Sequence, residues 1–121
     1  MPPDPRHFLP LKDIVFRILV ELAGGEQHGW SLVQALDDRT GGTSLLPGHL
    51  YRTLNRMLED GLIEERDRPA QPQTVRTRPG VAPSRFFRLT ALGRDVARAE
   101  TRRLEVLVAK SRAGRLLKDR R

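Results

Sequence analysis

Leu46 to Glu65 reads LPGHLYRTLNRMLEDGLIEE. Pro47 can open a helix, because its fixed φ suits the first turn. Leu50, Leu54, Met57 and Leu58 then recur at helical spacing as one apolar stripe. Gly61 marks the stop, since glycine enters the left-handed conformation without a Cβ penalty. Leu62 and Ile63 begin a new short apolar run. Gly48, His49, Arg52, Asn55, Arg56 and Glu59 share the opposite helical face. Apart from Glu59, that face offers donors, positive charge and small size. It suits the major groove of duplex DNA, where Arg reaches guanine edges or phosphate and Asn reads adenine. The plain alternative is a solvated amphipathic helix, so the rest of the chain has to decide.

The 121 residues allow one domain with a modest core, or one domain plus a long terminal helix. There are no cysteines, which excludes disulfides, a thiolate nucleophile and a cysteine metal site, and fits a reducing cytoplasm. No apolar run approaches the ~18 residues needed to cross a membrane, and MPPDPRHFLPL is too polar for a secretory leader. The formal charge of +7 is uneven. Residues 1–47 hold four basic and six acidic groups (−2), and residues 48–121 hold eighteen and nine (+9). The second half therefore expects a polyanionic partner, nucleic acid or an anionic membrane surface. Arg dominates, with Lys only at Lys12, Lys110 and Lys118. Arg favours planar, bidentate contacts, although a GC-rich genome would also favour its codons.

Working outward, residues 1–10 carry Pro2, Pro3, Pro5 and Pro10 and read as an irregular, flexible arm. Leu11, Ile14, Val15, Ile18, Leu19 and Leu22 form a helical stripe ended by Gly24 and Gly25. Phe16 and Val20 lie off it, as a second patch suited to a further element or a second subunit. A second helix is expected from Gly29 to Arg39, buried through Leu32, Val33 and Leu36, with Trp30 as a core or interface residue. Thr40 to Gly42 break it, and 43–46 lead into the Pro47 helix. Two helices with such a connection, the second bearing a donor-rich outer face, make a helix-turn-helix pattern.

Residues 62–68 and 84–89 read as two strands around a proline-rich loop, 69–83, that bears Arg76 and Arg78. Phe86 or Phe87 is expected to face the core. The hairpin with a basic tip is a wing; the alternative is a surface loop whose arginines only solubilise. Thr90 is a candidate N-cap for a helix from Ala91 to about residue 112. Leu92, Val96, Ala99, Val106 and Leu107 line one side, with Arg103 among them. Such a helix is too long for so small a domain to cover, which predicts a homodimer.

The order helix, helix, helix, strand, wing, strand, long helix resembles the PadR-like family of bacterial transcriptional regulators. The resemblance rests on ILVELAGGEQHGWSLVQAL, LLPGHLYRTLNRMLEDGLIEE and FFRLTALGRDVAR, and spans about Ile14 to Glu105. His28-Gly29-Trp30 matches a His-Gly-aromatic start of the second helix, where Tyr is more usual than Trp. His49 stands where Thr is frequent, and the wing is longer and richer in proline than usual. The resemblance implies a winged-helix homodimer on a palindromic operator, usually a repressor, and leaves room for a small aromatic effector.

The expectation is a mostly α protein with a small β-hairpin: arm 1–10, winged helix-turn-helix 11–90, and a C-terminal dimerisation helix with a basic tail at 91–121. Candidate DNA contacts are His49, Arg52, Asn55, Arg56, Arg76, Arg78 and Arg85. Tyr51 joins them if its hydroxyl reaches a phosphate while its ring packs inward; a purely structural Tyr is the alternative. Candidate dimer residues are Phe16, Val20, Leu92, Val96, Ala99, Arg103, Val106 and Leu107. Catalysis finds no support. His7, His28 and His49 lie far apart without metal-ligand spacing, no phosphate loop of the GxxxxGK type occurs, and the adjacent pairs Asp37-Asp38 and Glu64-Glu65 point apart. No cofactor is expected. The competing function is a winged helix used as a protein-interaction module without DNA contact.

Overall fold

The computed structural model describes residues 3–39, 47–67 and 85–117. The expected helix break at 40–42, the linker at 43–46, the wing tip with Arg76 and Arg78, and the basic end at 118–121 lie outside the described residues. Four helices and three strands follow in order: α1 (Asp13–Ala23), β1 (Gln27–His28), α2 (Gly29–Arg39), α3 (Pro47–Glu59), β2 (Ile63–Asp67), β3 (Arg85–Leu89) and α4 (Ala91–Ala113). The strands form one antiparallel sheet in the order β1-β3-β2. This is a winged helix with a long terminal helix.

The arm departs from the expected irregular segment. Pro5–Phe8 make a 3-10 turn. The Asp4 carboxylate caps it, accepting from the Arg6 backbone N–H at 2.9 Å and from its guanidinium at 3.1 Å. An Asp cap followed by Pro at the first position is a helix start in miniature. The arm then packs on α4. There the buried Glu100 carboxylate accepts the Leu11 N–H at 2.8 Å and the Arg103 guanidinium at 2.5 and 3.2 Å.

The core unites all the longer elements. Ile18, Leu19 and Leu22 of α1 meet Leu32 and Leu36 of α2, and Leu50, Leu54 and Met57 of α3. Leu62, Ile63, Phe87 and Val96 close it. Each helix contributes residues spaced three or four apart, so one face is buried. Both Phe86 and Phe87 are buried. Successive strand residues point to opposite faces, so Phe87 enters the core and Phe86 meets its cross-strand partner His28, ring centroids 3.9 Å apart. Strand β1 was not anticipated, since two residues are too short to show a periodicity. Gln27 is held there by its side-chain amide, which donates to the Glu21 carbonyl at 3.0 Å.

The joint between α3, β2 and α4 is closely specified. Gly61 has φ 78°. Its N–H donates to the Leu58 carbonyl at 3.1 Å, and the Leu62 N–H donates to that of Met57 at 3.0 Å. That is the Schellman arrangement, with Leu62 covering Met57. Thr90 caps α4 as expected: its hydroxyl accepts from the Gly93 N–H at 3.0 Å and donates to the Gly61 carbonyl at 2.5 Å. A side chain at Gly93 would collide with the Leu62 carbonyl. The start of α4 is thereby clamped onto the turn that ends α3.

Candidate nucleic-acid interface

Helix α3 turns Leu50, Leu54 and Met57 inward, which leaves Gly48, His49, Arg52, Asn55, Arg56 and Glu59 exposed on its other side. Nothing stands within 4 Å of the place a Cβ would take at Gly48, so the start of this face is open. Arg56 has Asp60 at 3.8 Å as an ion-pair partner, whereas Arg52 has none among the described residues. Arg52, exposed and uncompensated, is the strongest available anion contact on the helix.

Three of the expected contacts, Arg85, Asn55 and Tyr51, are engaged within the chain. Arg85 is drawn inward between the sheet and α3. Its guanidinium donates to Glu65 at 2.7 Å and to the Asn55 side-chain oxygen at 3.1 Å. It also lies over the rings of Tyr51 and Phe87, at 5.5 and 5.2 Å. It binds the hairpin to α3 rather than projecting toward a phosphate. The reason is the antiparallel register, which pairs Asp67 with Arg85 and leaves Glu65 on the neighbouring strand within reach. Asn55 is exposed but lends its oxygen to Arg85, so two-point reading of adenine requires that bond to open.

Tyr51 does not turn its hydroxyl outward. The oxygen is buried, without a hydrogen-bond partner among the described residues, and points at Gly29, at the start of α2. Burial pushes its pKa up, against the opposing pull of Arg85, so the ring and hydroxyl serve α2–α3 packing.

The sheet edge of the site is a ladder of ion pairs. Arg88 pairs with its cross-strand partner Glu64, and Arg66 approaches Glu26 at 3.7 Å. Much of the positive charge counted in the sequence is thus neutralised within the chain. Among the described residues, Arg52 on the α3 face remains without an ion-pair partner, as do Arg94, Arg102, Lys110 and Arg112 along α4.

The residues expected at a dimer surface divide in two. Val96 is fully buried within its own chain and Leu92 packs on the same core. Both are corrected from partner-facing to core, because the Thr90–Gly61 clamp presses the first turns of α4 onto the domain. Ala99 is half-buried, and Arg103 is tied to Glu100. Phe16 is half-buried beside Leu104 and Val108 of its own α4, while Val20 is 50% exposed. Val106 and Leu107 are 57% and 46% exposed. From Glu105 to Lys110 every residue of α4 is exposed. Trp30 is 39% exposed, outside the core. No helix among the described residues is long and apolar enough to cross a membrane, and no cluster of metal-ligating side chains occurs among them.

The model of the transcriptional regulator PadR-like family matches residues 18–99. Among solved structures, the chain is similar to a PadR family transcription regulator from hypervirulent Clostridium difficile R20291, with 19% identity and a TM-score of 0.69 over 84% of this chain and 97% of that one. It is similar to a PadR-like transcriptional regulator from Bacillus cereus, with 19% identity and a TM-score of 0.66 over 88% and 93%. It also matches Bacillus subtilis PadR in complex with operator DNA, with 20% identity and a TM-score of 0.58 over 74% of this chain and 47% of that one. A comparison with curated proteins yields no match. At these identities the structures speak for the fold. The family model covers most of the chain, including all of α2, α3 and the hairpin, and this protein belongs to the PadR-like family of transcriptional regulators.

Proposed function

We propose that the chain binds double-stranded DNA sequence-specifically, as a homodimeric repressor on a palindromic operator. The observation that carries this reading is the exposed α3 face, where His49, Arg52 and Arg56 stand clear of the core and Arg52 has no ion-pair partner among the described residues. An α-helix fits the major groove, and Arg pairs there with guanine edges or with phosphate. That Bacillus subtilis PadR was solved with operator DNA supports the same use of this fold here.

The exposed half of α4 supports the dimer reading. This second half exposes Val106, Leu107 and Val108, and Val20 of α1 is half exposed. Two α4 helices packed about a two-fold axis cover these side chains. The same symmetry presents two α3 helices about 34 Å apart, one turn of DNA.

The test is selection of bound duplexes from genomic fragments, followed by titration of the selected site against salt. Binding that weakens steeply with salt, on a site with inverted symmetry, is the expected result. A purified, folded protein that retains no duplex at low salt overturns it and points to a protein-interaction role instead.

A further inference from the structure

Beside the α3 face lies a groove of about 520 Å³ between the arm, α1 and α3, a volume within the range of small-molecule sites. Its apolar wall is mainly aliphatic, with Leu11, Ile14, Val15, Met57 and Leu62 beside Phe8 and Pro10. Its rim is cationic. Lys12, His49, Arg52 and Arg56 line it, against the single acid Asp60. Asp60 is already engaged with Arg56, so Lys12 and Arg52 remain without an ion-pair partner among the described residues. The arm that forms one wall is held in place by the bond from the Leu11 N–H to Glu100.

We propose that this groove binds a free alkyl carboxylate, the chain lying on Leu11, Ile14, Val15 and Met57 and the carboxylate at Arg52 with Lys12. The aliphatic lining suits a flexible alkyl body, which adapts to an uneven wall better than a planar ring does. Charge complementarity selects the head group, since a guanidinium accommodates a carboxylate's two oxygens. Arg52 belongs to both the groove and the α3 face, so an occupied groove takes from DNA one of its contacts. That regulatory half rests on the DNA-binding reading; the binding site itself does not.

Octanoate and its neutral counterpart 1-octanol, titrated into the full chain by calorimetry, provide the test. Octanoate binds, and 1-octanol binds at least about tenfold more weakly. Arg52→Gln weakens octanoate about tenfold or more and leaves 1-octanol unchanged. Ile14→Trp, which plugs the apolar wall, weakens both. If that variant fails to fold, Lys12→Gln combined with Arg52→Gln decides, because both positions are at the exposed rim. No heat from octanoate, or binding indifferent to these substitutions, overturns the site. A second titration follows release of a random-sequence duplex from the protein at low salt. Octanoate releasing the duplex supports the coupling. Octanoate bound with the duplex fully retained overturns the coupling alone. A chain that binds octanoate but no duplex overturns the DNA reading and leaves the site standing.

Discussion

The hydroxyl oxygen of Tyr51 stands 2.5 Å from the position a Cβ would occupy at Gly29, with two ring carbons of Tyr51 at 3.0 Å. The start of α2 can approach α3 this closely only because residue 29 has no side chain. A tyrosine on the donor-rich helix is thereby converted from a surface group into the spacer between the two helices of the motif.

Gly29→Ala is expected to lower stability by about 1–3 kcal/mol, as overpacking of a tight contact does. Tyr51→Phe removes the nearest atom together with a buried hydroxyl that has no partner among the described residues, and is expected to be neutral or mildly stabilising. In the Tyr51→Phe background the cost of Gly29→Ala should shrink, by an amount that a double-mutant cycle in urea measures. Additive effects would separate the two residues.

Arg52→Ala and Arg56→Ala should each weaken binding to the selected duplex by about 1–3 kcal/mol where they meet bases, and by less where they meet phosphate only. Arg52 should give the larger loss, because Arg56 already has Asp60 at 3.8 Å. Arg85→Ala is expected to behave differently. It breaks contacts to Glu65 and Asn55, so its effect should appear in the melting temperature as well as in affinity. Electrophoretic mobility and thermal melts on the same samples check all three.

Hydrogen bonds from Arg103, and with them the Leu11 N–H, hold the Glu100 carboxyl below its ordinary value of 4.5, against the opposing effect of burial. A depressed folded-state pKa means that the unfolded chain takes up the proton first. The stabilisation is therefore complete above the ordinary carboxylate value and is lost as the pH falls below 4.5 toward the folded-state value. Glu100→Gln should flatten the acid limb of a stability-versus-pH profile and lower stability near neutrality. An unchanged acid limb would remove Glu100 from the account.

Leu107→Asp should yield monomers at micromolar concentration by light scattering, with the domain still folded, since Leu107 is 46% exposed within its own chain. Val96→Asp should instead unfold the domain, because Val96 is wholly buried and an unpaired carboxylate there costs several kcal/mol. Loss of operator binding by a folded, monomeric Leu107→Asp is the expected consequence. Full affinity in that monomer would end the dimer reading.

Gly61→Ala should destabilise by about 1 kcal/mol, because φ 78° is a left-handed conformation in which a Cβ meets the following carbonyl. Urea denaturation measures it.

The helices were legible in the sequence because they are written in local terms. The stripes Ile18-Leu19-Leu22 and Leu50-Leu54-Met57 follow helical spacing, and Pro47, Gly61 and Thr90 punctuate the chain by backbone geometry and capping that neighbours dictate. The same periodicity placed His49, Arg52 and Arg56 outward, since a face opposite a buried stripe is exposed whatever the stripe packs against. Tertiary structure alone decided what distant groups do to one another. Glu100 is indistinguishable in sequence from other helical glutamates until the Leu11 N–H, 89 positions away, reaches it. Arg85 looked free until strand register set Glu65, Asn55 and two rings around it. Val96 sat on a stripe continuous with Leu107, and only the docking of Thr90 and Gly93 onto the α3 turn divided that stripe into a buried half and an exposed half. Periodicity says which side chains share a face; how far along the helix that face meets its neighbour depends on where the helix is anchored, and its anchor here is a carbonyl 29 residues back in the chain.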